Sequence, residues 1–123
     1  MKPENNYGIK RVFRATGFSI QGLKQAWQSE AAFRQELVLA LLMLPIAFLV
    51  DITTIERILL VMTVFIVLIT ELLNSAIEAV VDRIGDEYHP LSGQAKDIAS
   101  AAVFISLLLC GLTWLLILMP LMF

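Results

Sequence analysis

Hydrophobic residues gather into three stretches, about 35–50, 58–81 and 98–123, with short polar segments between them. A helix needs about 20 residues to cross a hydrocarbon core of roughly 30 Å, so each stretch is read as a membrane-spanning helix. The first reaches that length only when extended back through Ala31-Ala32-Phe33. That sets it at 31–50 and leaves Arg34 and Glu36 near the interface, where long side chains extend to water. Pro45 lies inside it and predicts a kink. The third, 98–121, carries Ser100, Ser106, Gly111 and Thr113, small or weakly polar residues suited to helix–helix contact.

Upstream, Ile9, Val12, Phe13, Thr16, Ile20, Leu23 and Trp27 recur at helical intervals, with basic and amide residues mostly elsewhere around the axis. This pattern predicts an amphipathic helix over 8–28 lying in the membrane interface, with Trp27 at head-group level. Gly17 and Gly22 predict a break or bend in it. The 83–97 segment, punctuated by Gly85, Pro90 and Gly93, reads as a turn-rich loop, with Asp97 capping the third span. The expected fold is an all-α membrane protein: three transmembrane helices and an interfacial helix in one domain, 1–123.

Composition supports this reading. Of the 123 residues, 59% are hydrophobic and only 16% charged, against about 25% charged in soluble domains. A net charge of −2 and the lack of a basic run interleaved with aromatics speak against nucleic acid as a partner. The single Cys110 sits in an apolar segment and reads as one more apolar residue. The polar start, Met1 to Asn6, does not resemble a cleavable signal peptide. Lys2, Lys10, Arg11, Arg14 and Lys24 precede the first span, with Arg34 near its start, and Arg83 and Lys96 fall between the second and third. Only Arg57 falls between the first and second, so the N-terminus and the 83–97 loop are expected in the cytoplasm.

One feature conflicts with a plain span. Glu71, Asn74, Ser75, Glu78 and Asp82 follow one another at steps of three or four, so at about 100° per residue they share one stripe of the second helix. A charge at mid-bilayer costs roughly 2.5 to 3.5 kcal/mol on insertion scales, so this stripe cannot face lipid tails. At about 1.5 Å per residue, Glu78 lies roughly 6 Å and Glu71 roughly 16 Å inward from Asp82. The stripe therefore opens on the cytoplasm. A polar seam between helices is the simpler alternative, but Asn or Ser alone joins helices at lower cost than Glu. An acidic stripe in a small oligomer also suits a proton or cation path, although Lys96-Asp97 beside carboxylates at one face favours chemistry. Glu30, Arg34 and Glu36 form a second polar cluster on the same side. Carboxylates gathered there repel one another, and a hard cation such as magnesium relieves this. Gly17 and Gly22 have the spacing of a phosphate loop, but the Lys-Ser/Thr ending is missing, so a Walker-type site is excluded.

The run Glu71-Leu72-Leu73-Asn74-Ser75-Ala76-Ile77-Glu78-Ala79-Val80-Val81-Asp82 resembles the signature of the prokaryotic integral-membrane diacylglycerol kinase family. Glu30 to Glu36, Glu87-Tyr88-His89 and Lys96-Asp97 resemble it too, and the likeness covers nearly the whole chain. It implies a homotrimeric enzyme of the bacterial inner membrane that uses ATP and Mg2+ to convert diacylglycerol to phosphatidic acid. The few walls one short chain offers make sites shared between subunits the expectation. By the resemblance, Glu71 is the general base, Glu30 and Glu78 hold the magnesium, and Asn74 supports them. The nucleotide falls to Arg11, Phe18, Glu30 and Glu78, with Glu87, Tyr88, His89, Lys96 and Asp97. The lipid falls to Arg11, Ser19, Trp27, Arg34 and Glu36, with Glu71 and Ser100. Thr16 and Phe18 depart from the family's usual Ala and Tyr. An undecaprenol-phosphorylating branch tends to read Glu-Asn-Thr-Ala-Ile-Glu, whereas Leu73-Asn74-Ser75-Ala76-Ile77-Glu78 is similar to the diacylglycerol branch.

Overall fold

The structure is a computed structural model that describes residues 8–85 and 87–123. Lys2 and the polar Met1–Asn6 run lie outside the described residues, as does Asp86. Four helices follow in order: α1 (Gly8–Ser29), α2 (Ala31–Leu49), α3 (Thr54–Ile84) and α4 (Pro90–Met122). The last three are long and apolar enough to cross a membrane. Among the described residues no strand is present.

Helix α3 is central. It packs most extensively on α4, then on α2, while α1 rests against α2. The core is built where α2, α3 and α4 meet: Ala40 and Ala47, then Leu60, Val64 and Val67, then Cys110 and Trp114. The alanines let α2 approach α3 closely, which is how helices associate when lipid removes the hydrophobic drive. Buried polar groups complete the seam. The Trp114 indole donates to the Leu60 carbonyl at 3.1 Å, and Thr70 Oγ1 donates to Ser106 Oγ at 2.9 Å. Around this core, large side chains such as Leu41, Phe104 and Leu116 stay exposed, as surfaces turned to lipid or to other subunits do.

The helix ends have local causes. Thr53 and Glu56 form a reciprocal capping box at the start of α3. Arg57 holds the turn before it, its guanidinium donating to the carbonyls of Ala47, Val50 and Ile52. Gly85 ends α3 at φ 145°, ψ 169°, a conformation essentially restricted to glycine.

Three local expectations are corrected. Helix α1 is continuous through Gly17 and Gly22. A glycine costs only about 1 kcal/mol against alanine, too little to interrupt a helix of 22 residues. The 83–97 segment is mostly helical, because α3 extends to Ile84 and α4 starts at Pro90, leaving a short connection. Its cap is accordingly His89, whose Nδ1 accepts from the Leu91 amide at 3.1 Å, with Pro90 at the position that needs no donor. Asp97 therefore sits inside α4 and caps nothing. Pro45 lies inside α2, as expected, and the helix extends to Leu49.

Candidate active site

The polar stripe of α3 divides by depth. Glu71 is buried, only 3% exposed, whereas Asn74, Ser75 and Glu78 are half-buried and Asp82 is exposed. Above the stripe, α1 and α3 enclose a cleft of about 670 Å³. Ser75, Glu78 and Asp82 line it from α3; Gly22, Ala26 and Ser29 line it from α1, and Glu30 closes one end. Asn74 Nδ2 donates to Glu78 Oε1 at 3.2 Å.

Glu30 is the hinge of the arrangement. It is the one residue between α1 and α2, with extended backbone (φ −120°, ψ 107°), and its side chain does not cap α2. Instead Glu30 lines the same cleft that Glu78 lines from α3. Partial burial pushes the Glu30 carboxyl above its ordinary value, with the charge and hydrogen bond of Glu78 and the charge of Asp82 adding to it.

Glu71 lies about two turns, roughly 10 Å, deeper along α3 than Glu78, within electrostatic reach of both Glu30 and Glu78. Glu36 on α2 lies within reach of Glu71 and lines a small apolar slot with Ala40, Val67 and Leu107. The buried Oε2 of Glu36 has no hydrogen-bond partner, and neither do Asn74 Oδ1 and Ser75 Oγ. Unmatched buried oxygens are uncommon in a settled interior; two of these lie on the α3 stripe and one on α2. The structure thus gathers Glu30, Glu36, Glu71 and Glu78 into one acidic line.

Other expected residues fall elsewhere. Lys96 pairs with Asp82 at 2.7 Å, which fastens the start of α4 to the cleft wall. Asp97 and Ser100 are exposed on α4, and Glu87, Tyr88 and His89 are exposed in the connection. Arg11 and Ser19 share a shallow groove along α1, and Ser19 also reaches the acidic cleft. Phe18 and Trp27 are exposed on α1. Arg34 turns back onto α1, donating to the carbonyls of Trp27 and Gln28. Asp82 was legible as a member of the stripe, but its pairing with Lys96 across the α3–α4 turn was not.

Sequence comparison fixes the class. The model of the family described as "Prokaryotic diacylglycerol kinase" matches residues 17–118. The chain belongs to this family. It is 54% identical over 114 residues to the diacylglycerol kinase of Escherichia coli (strain K12), covering 93% of each chain. It is 49% identical over 112 residues to that of Pseudomonas aeruginosa, covering 91% of each. With the diacylglycerol kinase of Haemophilus influenzae the identity is 50% over 107 residues, 87% of this chain and 91% of that one. As a member of the family the chain is a lipid kinase, and its three long apolar helices make it a multi-pass membrane protein. Of the two departures, Thr16 spends its hydroxyl on the Val12 carbonyl of its own helix, and Phe18 lines none of the described clefts.

The site's chemistry fits the metal that kinases use. Its donors are oxygens, which suits a hard cation such as magnesium. Among the described residues no three carboxylate, histidine or cysteine side chains converge to hold a metal by themselves. Glu30 and Glu78, which line one cleft, would offer two oxygen ligands to such an ion, with the rest left to water and phosphate.

Proposed function

We propose that this protein transfers the γ-phosphoryl group of ATP to diacylglycerol, giving phosphatidic acid and ADP at the cytoplasmic face of the bacterial inner membrane. The observation that carries the reading is that Glu30 and Glu78 line one cleft between α1 and α3, with Glu71 buried about two turns deeper on the stripe that carries Glu78. Phosphoryl transfer asks mainly for positioning, charge neutralisation at phosphate and a base near the attacking hydroxyl.

Glu71 is the general base. Its carboxylate accepts the proton of the lipid hydroxyl as that oxygen forms its bond to the γ-phosphorus and the bond to the ADP oxygen breaks. Glu30 and Glu78 would hold magnesium, which would offset the negative charge of the nucleotide phosphates. Asn74 holds Glu78 in place through its amide. Lys96, with Arg11, Phe18, Asp97 and the Glu87–His89 segment, serves the nucleotide, and Ser19, Trp27, Glu36 and Ser100 serve the lipid. The relatives' names support diacylglycerol as the acceptor. The distribution of basic residues supports a cytoplasmic N-terminus. The apolar surfaces left exposed on a single chain support a homotrimer with sites completed between subunits.

Transfer of radiolabelled γ-phosphate from ATP to purified lipids tests this directly. The wild type is expected to label diacylglycerol and to leave undecaprenol nearly unlabelled; the reverse preference would assign the chain to undecaprenol, and no transfer would remove the kinase reading. Glu71→Gln is expected to lower kcat by about 10²- to 10⁴-fold with its oligomer intact. Near-normal turnover in that variant would remove Glu71 from the base role.

A further inference from the structure

The joint between α1 and α2 is closed in an unusual way. A helix end leaves its last four carbonyls without intrahelical partners. At the end of α1, the Ala26 carbonyl accepts from the Glu30 amide at 2.9 Å. The next two carbonyls are taken by one side chain: Arg34 Nη1 donates to Trp27 O at 2.7 Å and to Gln28 O at 3.2 Å. The Arg34 amide meanwhile donates to the Glu30 carbonyl at 3.2 Å, so the same residue begins α2 and closes α1. A cation at a helix C-terminus also matches the helix dipole. Phe33, 1% exposed, and buried Ala26 flank the joint. Glu30 stands between these bonds with its side chain not capping α2, and it lines the cleft that Glu78 lines from α3.

We propose that Arg34 is a positioning residue. Its guanidinium clamps the end of α1 so that the joint presents Glu30 to Glu78 across the cleft, a task distinct from the contact with lipid that the family resemblance implies. The consequence for metal use rests on Glu30 and Glu78 being magnesium ligands. Without the clamp, α1 pivots at Glu30 and the two carboxylates lose their spacing, while Glu71 and the lipid face of α2 stay where they are. Lysine supplies one rotatable ammonium where arginine supplies a planar fork, so it restores the clamp only in part.

Two measurements on the full-length protein in lipid test this. The first is hydrogen exchange of the metal-free protein, read at the Glu30 and Arg34 amides. Arg34→Ala is expected to speed exchange there by about tenfold or more, Arg34→Lys by less, and Glu30→Gln hardly at all. Unchanged exchange in Arg34→Ala would overturn the clamp. The second is a double-mutant cycle on the half-saturating magnesium concentration. Arg34→Ala is expected to raise it by about tenfold with the KM for diacylglycerol within about twofold, and to add little in a Glu30→Gln background. A raised diacylglycerol KM with normal magnesium dependence, or full additivity with Glu30→Gln, would overturn the proposal in favour of lipid contact. If Glu30→Gln itself leaves magnesium saturation unchanged, the ligand reading of Glu30 fails, and the clamp stands or falls on the exchange result. Should Arg34→Ala not assemble, Arg34→Lys and Arg34→Gln carry both measurements.

Discussion

At the scale of single residues, the acidic line decides what this membrane protein can do. Carboxylates in or near a bilayer need partners: Glu78 accepts from the Asn74 amide, and Glu30 lines the same cleft as Glu78. Burial and neighbouring negative charge hold the Glu30 carboxyl above its ordinary 4.5. The sign for metal binding follows: a raised value keeps the proton on to higher pH, and a ligand must lose its proton before it binds a cation. Half-saturating magnesium is therefore expected to fall as pH rises through the range just above 4.5, a titration that activity at fixed ATP can follow. For the metal-free protein the sign is opposite. The folded state holds the Glu30 proton more tightly than the unfolded state, so this group's contribution to stability declines as pH rises through the same range. Glu71 and the spacing of its stripe were legible in the sequence because helical periodicity alone places them. The pairing of Asp82 with Lys96 was not, because it depends on how α4 returns along α3.

At the scale of elements, the helices are secured at their ends. Most of α2 and α4 is apolar on every side, so their directions are set by caps and turns as much as by packing. Thr53 accepts from the Glu56 amide and donates to its carboxylate, closing the start of α3. Thr53→Ala is expected to cost about 0.5–2 kcal/mol of stability, measurable as a shift in unfolding by SDS in mixed micelles. Gly85→Ala is expected to cost about 1–3 kcal/mol, since its φ of 145° and ψ of 169° strain any side chain. The same reasoning explains why the 83–97 segment was read as a loop. Gly85 and Pro90 are real punctuation, but Pro90 starts a helix at a position where proline is tolerated, and Gly93 sits inside that helix.

At the scale of the whole molecule, one chain leaves a large apolar surface uncovered. The proposed homotrimer would cover part of it, and cross-linking in mild detergent is expected to yield a trimer as the limiting species; a monomer would contradict shared sites. Orientation is equally open to test. With native Cys110 replaced by Ala, a cysteine at Asp51 is expected to react with an impermeant thiol reagent in intact spheroplasts. A cysteine at Ile84, 77% exposed, is expected to react only after lysis. The opposite pattern would place the acidic cleft on the wrong side for cytoplasmic ATP.

Sequence alone determined the three apolar helices, the amphipathic helix before them and the acidic stripe of α3. Each of these is a periodicity or a length, and such properties belong to a single segment. Only the tertiary structure decided that Glu30 faces Glu78, that Lys96 is held by Asp82, and that Arg34 closes α1. Those relations join residues on different helices, and the angles between helices come from side-chain packing and end bonds that no one segment contains.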